Sequence, residues 1–299
     1  MACSGGPDSQ ALLSVLHALA GELGYRLTAA SVDHGLRPEA STEIALAAEL
    51  AAQLAVPFVS LRVKVADGAS RQAAARTARY EALLQCAKAH GAQRIAVGHT
   101  LDDQAETVLA RILRGAGVEG LGAVSPLRAD GVIRPLIDCR RELVHGYVAE
   151  LGLANAADPS NLDPRYLRVR VRHGLLPPLL QENPQLLQHL AHLADDAREA
   201  GELLSARAAA VLAQAQGRAQ PLRDQPGLIR RWALKLWVEG EARTLLTRAH
   251  LTALDHLLHV GGQVRVPGDV VVSLDADDRL CFTRVAKRGR GIKRLMDRP

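Results

Sequence analysis

Apolar residues recur at helical spacing directly after a glycine-rich hexapeptide near the start of the chain. Ala11, Leu12, Leu13, Val15, Leu16 and Leu19 follow Ser4-Gly5-Gly6-Pro7-Asp8-Ser9, and that period predicts the buried face of a helix beginning near Pro7. The pattern then switches. Residues 26–33, with Leu27, Ala29, Ala30, Ser31 and Val32 small or apolar, predict a strand, whereas 38–54 return to the helical period through Ile44, Leu46, Ala47, Leu50 and Leu54. Residues 56–63 predict a second strand, with Pro57 near its first residue, where a missing donor does least harm. A helix over 70–90, a short strand over 94–98 and a helix over 101–114 follow. This rhythm predicts an α/β fold, a Rossmann-like parallel sheet with helices on both faces.

Beyond residue 183 the strand alternation disappears. Pro184 opens a long amphipathic helix through Leu186, Leu187, Leu190, Leu193 and Ala197, expected to reach about residue 214. Helices over 228–238 and 248–260 come next, then a small terminal β-hairpin within 264–285. The domain boundary is therefore expected between residues 182 and 183, a helical second domain occupying 183–299. Trp232 reads as core. The run Arg284, Lys287, Arg288, Arg290, Lys293 and Arg294 reads either as a solvated tail or as a contact for RNA backbone.

Composition narrows the class. A length of 299 residues suffices for two domains, and 37 basic against 32 acidic residues, a net charge of +5, permit a nucleic-acid partner without demanding one. The 32 arginines against five lysines suit bidentate phosphate contacts, although a codon bias gives the same skew. Cys3, Cys86, Cys139 and Cys281 are scattered with no Cys-x-x-Cys pair, which argues against a zinc site, an iron–sulfur cluster or a disulfide scaffold, and for a reducing cytosol. No apolar run approaches the ~20 residues that span a bilayer and no signal peptide is visible, so a soluble cytoplasmic protein is expected. Only Met1, Ala2 and Cys3 precede the glycine loop, too few for a strand of typical length. The expectation is either that translation starts upstream or that the first, central strand is a stub, with the loop weakly held.

The chemistry gathers at strand-to-helix turns, the edge where open parallel sheets bind ligands. Gly5 and Gly6 can turn successive N–H groups into one concavity, and the helix start adds unpaired donors and positive potential. Pro7 suits the first helical position, and Ser4 and Ser9 offer hydroxyls. The hexapeptide is therefore a phosphate seat, and Asp8 beside an anion makes sense if magnesium lies between them. Asp33 and His34 occupy the turn after the first full strand. In His99-Thr100-Leu101-Asp102-Asp103-Gln104-Ala105-Glu106-Thr107, helical spacing puts Asp102, Asp103 and Glu106 on one side of a first turn. Thr100 can cap that helix, and three carboxylates suit a magnesium ion or the ammonium of an amine substrate. Arg76, three residues before Arg79, can reach a phosphate; Arg168 and Arg172, four apart, form a candidate phosphate clamp, and Arg230 and Arg231 a further basic cluster.

The glycine loop lacks Gly-Lys-Ser/Thr and resembles that of the ATP-pyrophosphatase superfamily. Taken with Asp33-His34-Gly35-Leu36-Arg37, Arg76-x-x-Arg79-Tyr80, the His99–Thr107 block, Arg114-Gly115-x-Gly117, Arg134-Pro135-Leu136 and Asp158-x-Ser160-Asn161, it resembles tRNA(Ile)-lysidine synthetase over residues 4–180, in the short form without an additional C-terminal domain. The resemblance implies an adenine nucleotide alpha hydrolase type of fold and a two-step reaction. ATP adenylates the wobble cytidine of an isoleucine tRNA with a CAU anticodon, and the ε-amine of free lysine then displaces AMP. It implies Ser4 to Ser9, Asp33, His34 and Arg76 for ATP; Asp8 for magnesium; Asp102, Asp103 and Glu106 for lysine; Asp8, Asp103 and Glu106 for catalysis; and Arg168, Arg172, Arg230 and Arg231 for tRNA. Val169 stands where the family carries Asn. A tRNA-thiolating relative and a non-catalytic tRNA-binding relative are the alternatives, and the oligomeric state, a dimer included, is open.

Overall fold

The computed structural model describes residues 1–33, 35, 40–63, 71–154 and 163–285. His34, Arg37, the turn at Asp158 to Asn161 and the basic tail beyond Val285 lie outside the described residues. The chain divides into two compact units, Met1–Arg198 and Glu199–Pro299.

The first unit realises the strand–helix rhythm. After α1 (Pro7–Leu23) come β1 (Ala29–Asp33), α2 (Ala40–Gln53), β2 (Phe58–Arg62), α3 (Arg71–Ala89), β3 (Ile95–Ala96), α4 (Leu101–Leu113), α5 (Val118–Leu121), β4 (Val132–Ile133) and α6 (Arg141–Glu150). Short α7 (Leu167–Arg170) runs through a π-helical turn, Val171–Leu175, into α8 (Leu176–Glu182). β1 pairs β2 and β3 pairs β4, both parallel. Met1 to Cys3 joins the two pairs, though only Ala2 forms a bridge, to Ala30. The Ala2 N–H donates to Ala96 O at 2.9 Å, Cys3 N–H to Ala30 O at 2.9 Å and Ala30 N–H to Met1 O at 2.8 Å. Three residues thus bond to neighbours on both sides, and the Ser31 hydroxyl adds a bond to the Cys3 carbonyl.

Neighbouring strand residues face opposite layers, as the two-residue period of a strand requires. Ala29 packs with Leu13, Ala47, Leu50 and Ala51 of α1 and α2, whereas Ala30 packs with Tyr80 and Leu83 of α3. On β3, Ala96 turns to Leu12 of α1 and Val144 and Val148 of α6, while Ile95 turns to α3. α4 buries Leu101, Ala105 and Val108 against Leu187, Leu190 and Ala194 at the start of α9 (Leu186–Ala215).

The second unit is helical, with α10 (Gln220–Arg223), α11 (Gly227–Ala242) and α12 (Arg248–Val260), and closes with three antiparallel strands, β5 (Gln263–Val266), β6 (Val270–Leu274) and β7 (Leu280–Arg284). The expected hairpin gains a third strand. Trp232 is buried and donates its indole N–H to Ser205 Oγ at 3.0 Å. Arg230 and Arg231 both reach Asp255 on α12, where they tie two helices together.

Gly98, two residues past β3, lies against the loop helix: a Cβ there would be 2.8 Å from Asp8 O. Gly98→Ala is expected to lower stability by about 1–3 kcal/mol through overpacking, measured by urea denaturation. Gly24→Ala, strained by φ +67 but facing open space, serves as the comparison at about 1 kcal/mol. A neutral Gly98→Ala would show that the strand end and the loop do not pack this closely.

Candidate active site

Gly6 caps α1 in extended conformation with Pro7 directly after it, and Gly5 takes φ +79. A Cβ on Gly5 would fall 2.1 Å from the Glu43 carbonyl oxygen at the start of α2, so no side chain fits. The loop is braced from within. Ser9 Oγ donates to Gly6 O at 2.9 Å and accepts from Ser4 N–H at 3.1 Å, so the Ser4 hydroxyl, 3.3 Å away, turns to Ser9. Both serines thus hold the turn. Gln10, buried, donates to Gly5 O at 2.6 Å and to Ala154 O at 2.8 Å. The backbone N–H groups of Gly6 and Asp8 meet no acceptor among the described residues. Those donors, at the positive end of a helix, are what a phosphate needs.

At the next turn Thr100 caps α4 in a reciprocal box with Asp103: Thr100 N–H donates to Asp103 Oδ2 at 2.9 Å and Asp103 N–H to Thr100 Oγ1 at 3.4 Å. The other carboxylate oxygen of Asp103 receives Arg141 and Arg168, each at 2.6 Å. Glu106, with no exposed side-chain surface, accepts Arg141 at 2.9 Å, Arg172 at 2.7 Å and 3.0 Å, and Arg168 at 2.8 Å. Two buried carboxylates thus carry three guanidiniums. Asp102 Oδ2 accepts the backbone N–H of Arg141 at 2.7 Å and so caps α6.

Arg168 and Arg172 share the expected face, which here turns inward on Asp103 and Glu106, because buried carboxylates must be neutralised. Of the three carboxylates of the acidic turn, Asp102 caps a helix and Asp103 and Glu106 are ion-paired, so a cation reaching them has to exchange with a guanidinium. Asp33 closes its own turn, accepting Gly35 N–H at 2.8 Å, with Arg62 at 3.6 Å. Arg76 lies over the Tyr80 ring.

Burial by itself would raise Asp103 and Glu106, yet the surrounding guanidiniums hold both below the ordinary carboxylate range. Asp8 goes the other way: burial and then repulsion from Asp103 push it up, against the pull of Arg141 and His145. His145 Nε2 sits 3.2 Å from Asp8 Oδ1. Sequence reasoning missed His145, although Arg141 and His145 stand four apart on one helix, the spacing that aims both at the loop edge. His99 is pushed down to about 3, chiefly by burial, and its Nδ1 accepts from Arg134 Nε at 3.2 Å, which requires the neutral ring. Among the described residues no group of three or more His, Cys, Asp or Glu is arranged to cage a metal. Magnesium, however, commonly uses one or two carboxylates and completes its shell with phosphate oxygens. Asp8, next to the phosphate seat and sensing Asp103, fits that mode.

Residues 1–179 match the model of the PP-loop domain. The chain is 38% identical over 271 residues to the tRNA(Ile)-lysidine synthase of Thermobifida fusca, covering 86% of this chain and 82% of that one. It is 41% identical over 256 residues to that of Rhodopseudomonas palustris, covering 82% and 72%. Among solved structures, the U34-tRNA thiolase NcsA from Methanococcus maripaludis, with its 4Fe-4S cluster, is similar in fold at a TM-score of 0.58 and 19% identity, over 67% of this chain and 71% of that one. No helix among the described residues is long and apolar enough to cross a membrane.

The pH dependence of stability has a definite sign. His99, ordinarily near 6.5 when unfolded, folds neutral, so its contribution is complete above that value and is lost as pH falls toward 3. Asp103 and Glu106, held low, add losses once pH drops through the ordinary carboxylate range; Asp8, held high, opposes them. Thermal melts are expected to fall progressively below pH 6.5, and His99→Gln should flatten the portion above about pH 5, where carboxylates remain charged. An unchanged profile in that variant would mean His99 is not buried neutral.

Proposed function

Because this chain belongs to the tRNA(Ile)-lysidine synthase family and carries the PP-loop domain of ATP-using enzymes, we propose that it ligates lysine to the wobble cytidine of a CAU-anticodon isoleucine tRNA. The observation that supports this reading is the junction at Asp8. One carboxylate belongs to the phosphate seat, contacts His145 and is close enough to Asp103 to feel its charge. Nucleotide seat and amine-binding cluster therefore adjoin.

In the first step the cytidine C2 oxygen attacks the α-phosphorus of ATP, and the bond to the bridging oxygen breaks to release pyrophosphate. The N–H groups of Gly6 and Asp8 and the start of α1 face the departing charge. Magnesium, which Asp8 would hold, supplies further neutralisation of the phosphates. In the second step the lysine ε-ammonium passes a proton to water, the freed ε-nitrogen attacks C2, and the C2–O bond breaks to release AMP. Asp103 and Glu106, tied into ion pairs, are weak bases; their part is to accept the positive charge of the amine.

That role requires an exchange. Three guanidiniums already meet the two buried carboxylates, so lysine enters by displacing one of them. Arg168 is the one that leaves, since its side chain is 47% exposed against 16% for Arg141 and 25% for Arg172.

Lysine-dependent release of AMP and pyrophosphate in the presence of the tRNA tests the reading. Release driven by a sulfur donor and not by lysine would overturn it. Arg168→Gln is expected to lower the KM for lysine about fivefold, the equivalent of ~1 kcal/mol, and to leave the KM for ATP unchanged. A higher KM for lysine in that variant would show that Arg168 assists lysine and does not occupy its place.

A further inference from the structure

A second charged cluster, which neither the loop nor the acidic turn uses, surrounds Tyr80. This tyrosine is buried on α3, and three guanidinium carbons lie near its ring centroid: Arg76 at 5.1 Å, Arg79 at 5.5 Å and Arg128 at 4.6 Å. A ring has two faces, so three cations over it bring at least two to the same side. Arg134, buried, and Arg111 extend the group. Burial lowers the pKa of Arg79, Arg111 and Arg134, and the charge of Arg76 lowers each further. Among the described residues the only ion pair made by these five is Arg128 with Asp130, at 2.6 Å.

Five guanidiniums, none of which gives up its proton, therefore gather around one carboxylate. Cation–π attraction returns only about 0.5–1 kcal/mol per exposed contact, and like charges in partly buried surroundings repel more strongly than in water. An anion completes such a cluster. The loop already offers nucleotide phosphates a seat. The cluster joins the site at the neighbouring turn, just before α4, where Arg134 Nε donates to His99 Nδ1 at 3.2 Å.

We propose that Arg76, Arg128 and their neighbours around Tyr80 form a site for an RNA phosphodiester, the backbone flanking the base that enters the active site. The inference rests on the tRNA reading above and replaces the expectation that Arg76 serves ATP. Planar guanidiniums offer paired donors to phosphate oxygens, and a base must be drawn out of an anticodon loop with its backbone held.

The test uses the full chain and an anticodon stem-loop RNA with the CAU sequence, titrated by fluorescence anisotropy over a range of KCl, alongside calorimetric titration with magnesium-ATP. The Arg76→Ala, Arg128→Ala double variant is expected to bind the RNA at least tenfold more weakly. The slope of log affinity against log salt should fall by about 1–2, as loss of phosphate contacts demands, with ATP affinity within twofold of the parent. Lysine at both positions should restore most of the slope, which a packing defect would not allow. Unchanged RNA affinity and slope would overturn the proposal while leaving the enzyme reading intact. Weakened ATP binding with RNA binding preserved would also overturn it, assigning the cluster to the nucleotide. A parent chain that binds ATP but no RNA would overturn both.

Discussion

Two buried carboxylates, Asp103 and Glu106, impose the constraint around which the first unit is organised. A buried carboxylate without a partner is too costly to persist, so three guanidiniums must arrive from elsewhere in the chain. Arg141 comes from α6, Arg168 from α7 and Arg172 from the π-helical turn. Each arrival fixes the path of the segment that carries it. α6 is brought close enough for Asp102 to cap it and for its next turn to present His145 to Asp8. Charge compensation at one helix start thereby sets the wall of the neighbouring phosphate seat.

Much of the fold was legible because its signals are local. Gly5-Gly6-Pro7 announces a turn and a helix start within three residues, and the strand at Ala29–Asp33 announces itself by composition. The capping box of Thr100 and Asp103 could be read from spacing alone. The ion pairs could not. Arg141 lies 35 residues from Glu106 and Arg172 lies 66 from it, and helical spacing says which side chains share a face without saying what that face meets. The same gap hid His145, a single histidine on an ordinary amphipathic helix. At the other end of the scale, Met1 to Cys3 looked too short to be a strand, because length criteria count residues, whereas pairing depends on which backbone groups find partners.

The arginine-rich composition also takes on a physical meaning. In the acid cluster Arg141, Arg168 and Arg172 each use more than one guanidinium nitrogen. Arg223 grips Asp278 with two nitrogens, both at 2.5 Å. An ammonium on a flexible stem cannot reproduce a planar fork of this kind. Whatever drives the base composition of the coding sequence, these positions are closed to lysine by geometry.

The divided loyalty of Asp103 limits how its position can drift. One oxygen accepts a backbone N–H as a helix cap while the other faces two guanidiniums. Asparagine, one codon change away and the same shape, must turn an NH2 group toward one of those two sets of donors, so it fails at either the cap or the cluster. Glutamate keeps the charge and, as an ordinary capping-box residue, can still reach Thr100 N–H, but its extra methylene displaces the oxygen that Arg141 and Arg168 meet. The site is therefore stranded in sequence space: every neighbouring residue type satisfies at most half of what Asp103 does, and change there has to pass through a rearrangement of α4, α6 and α7 together.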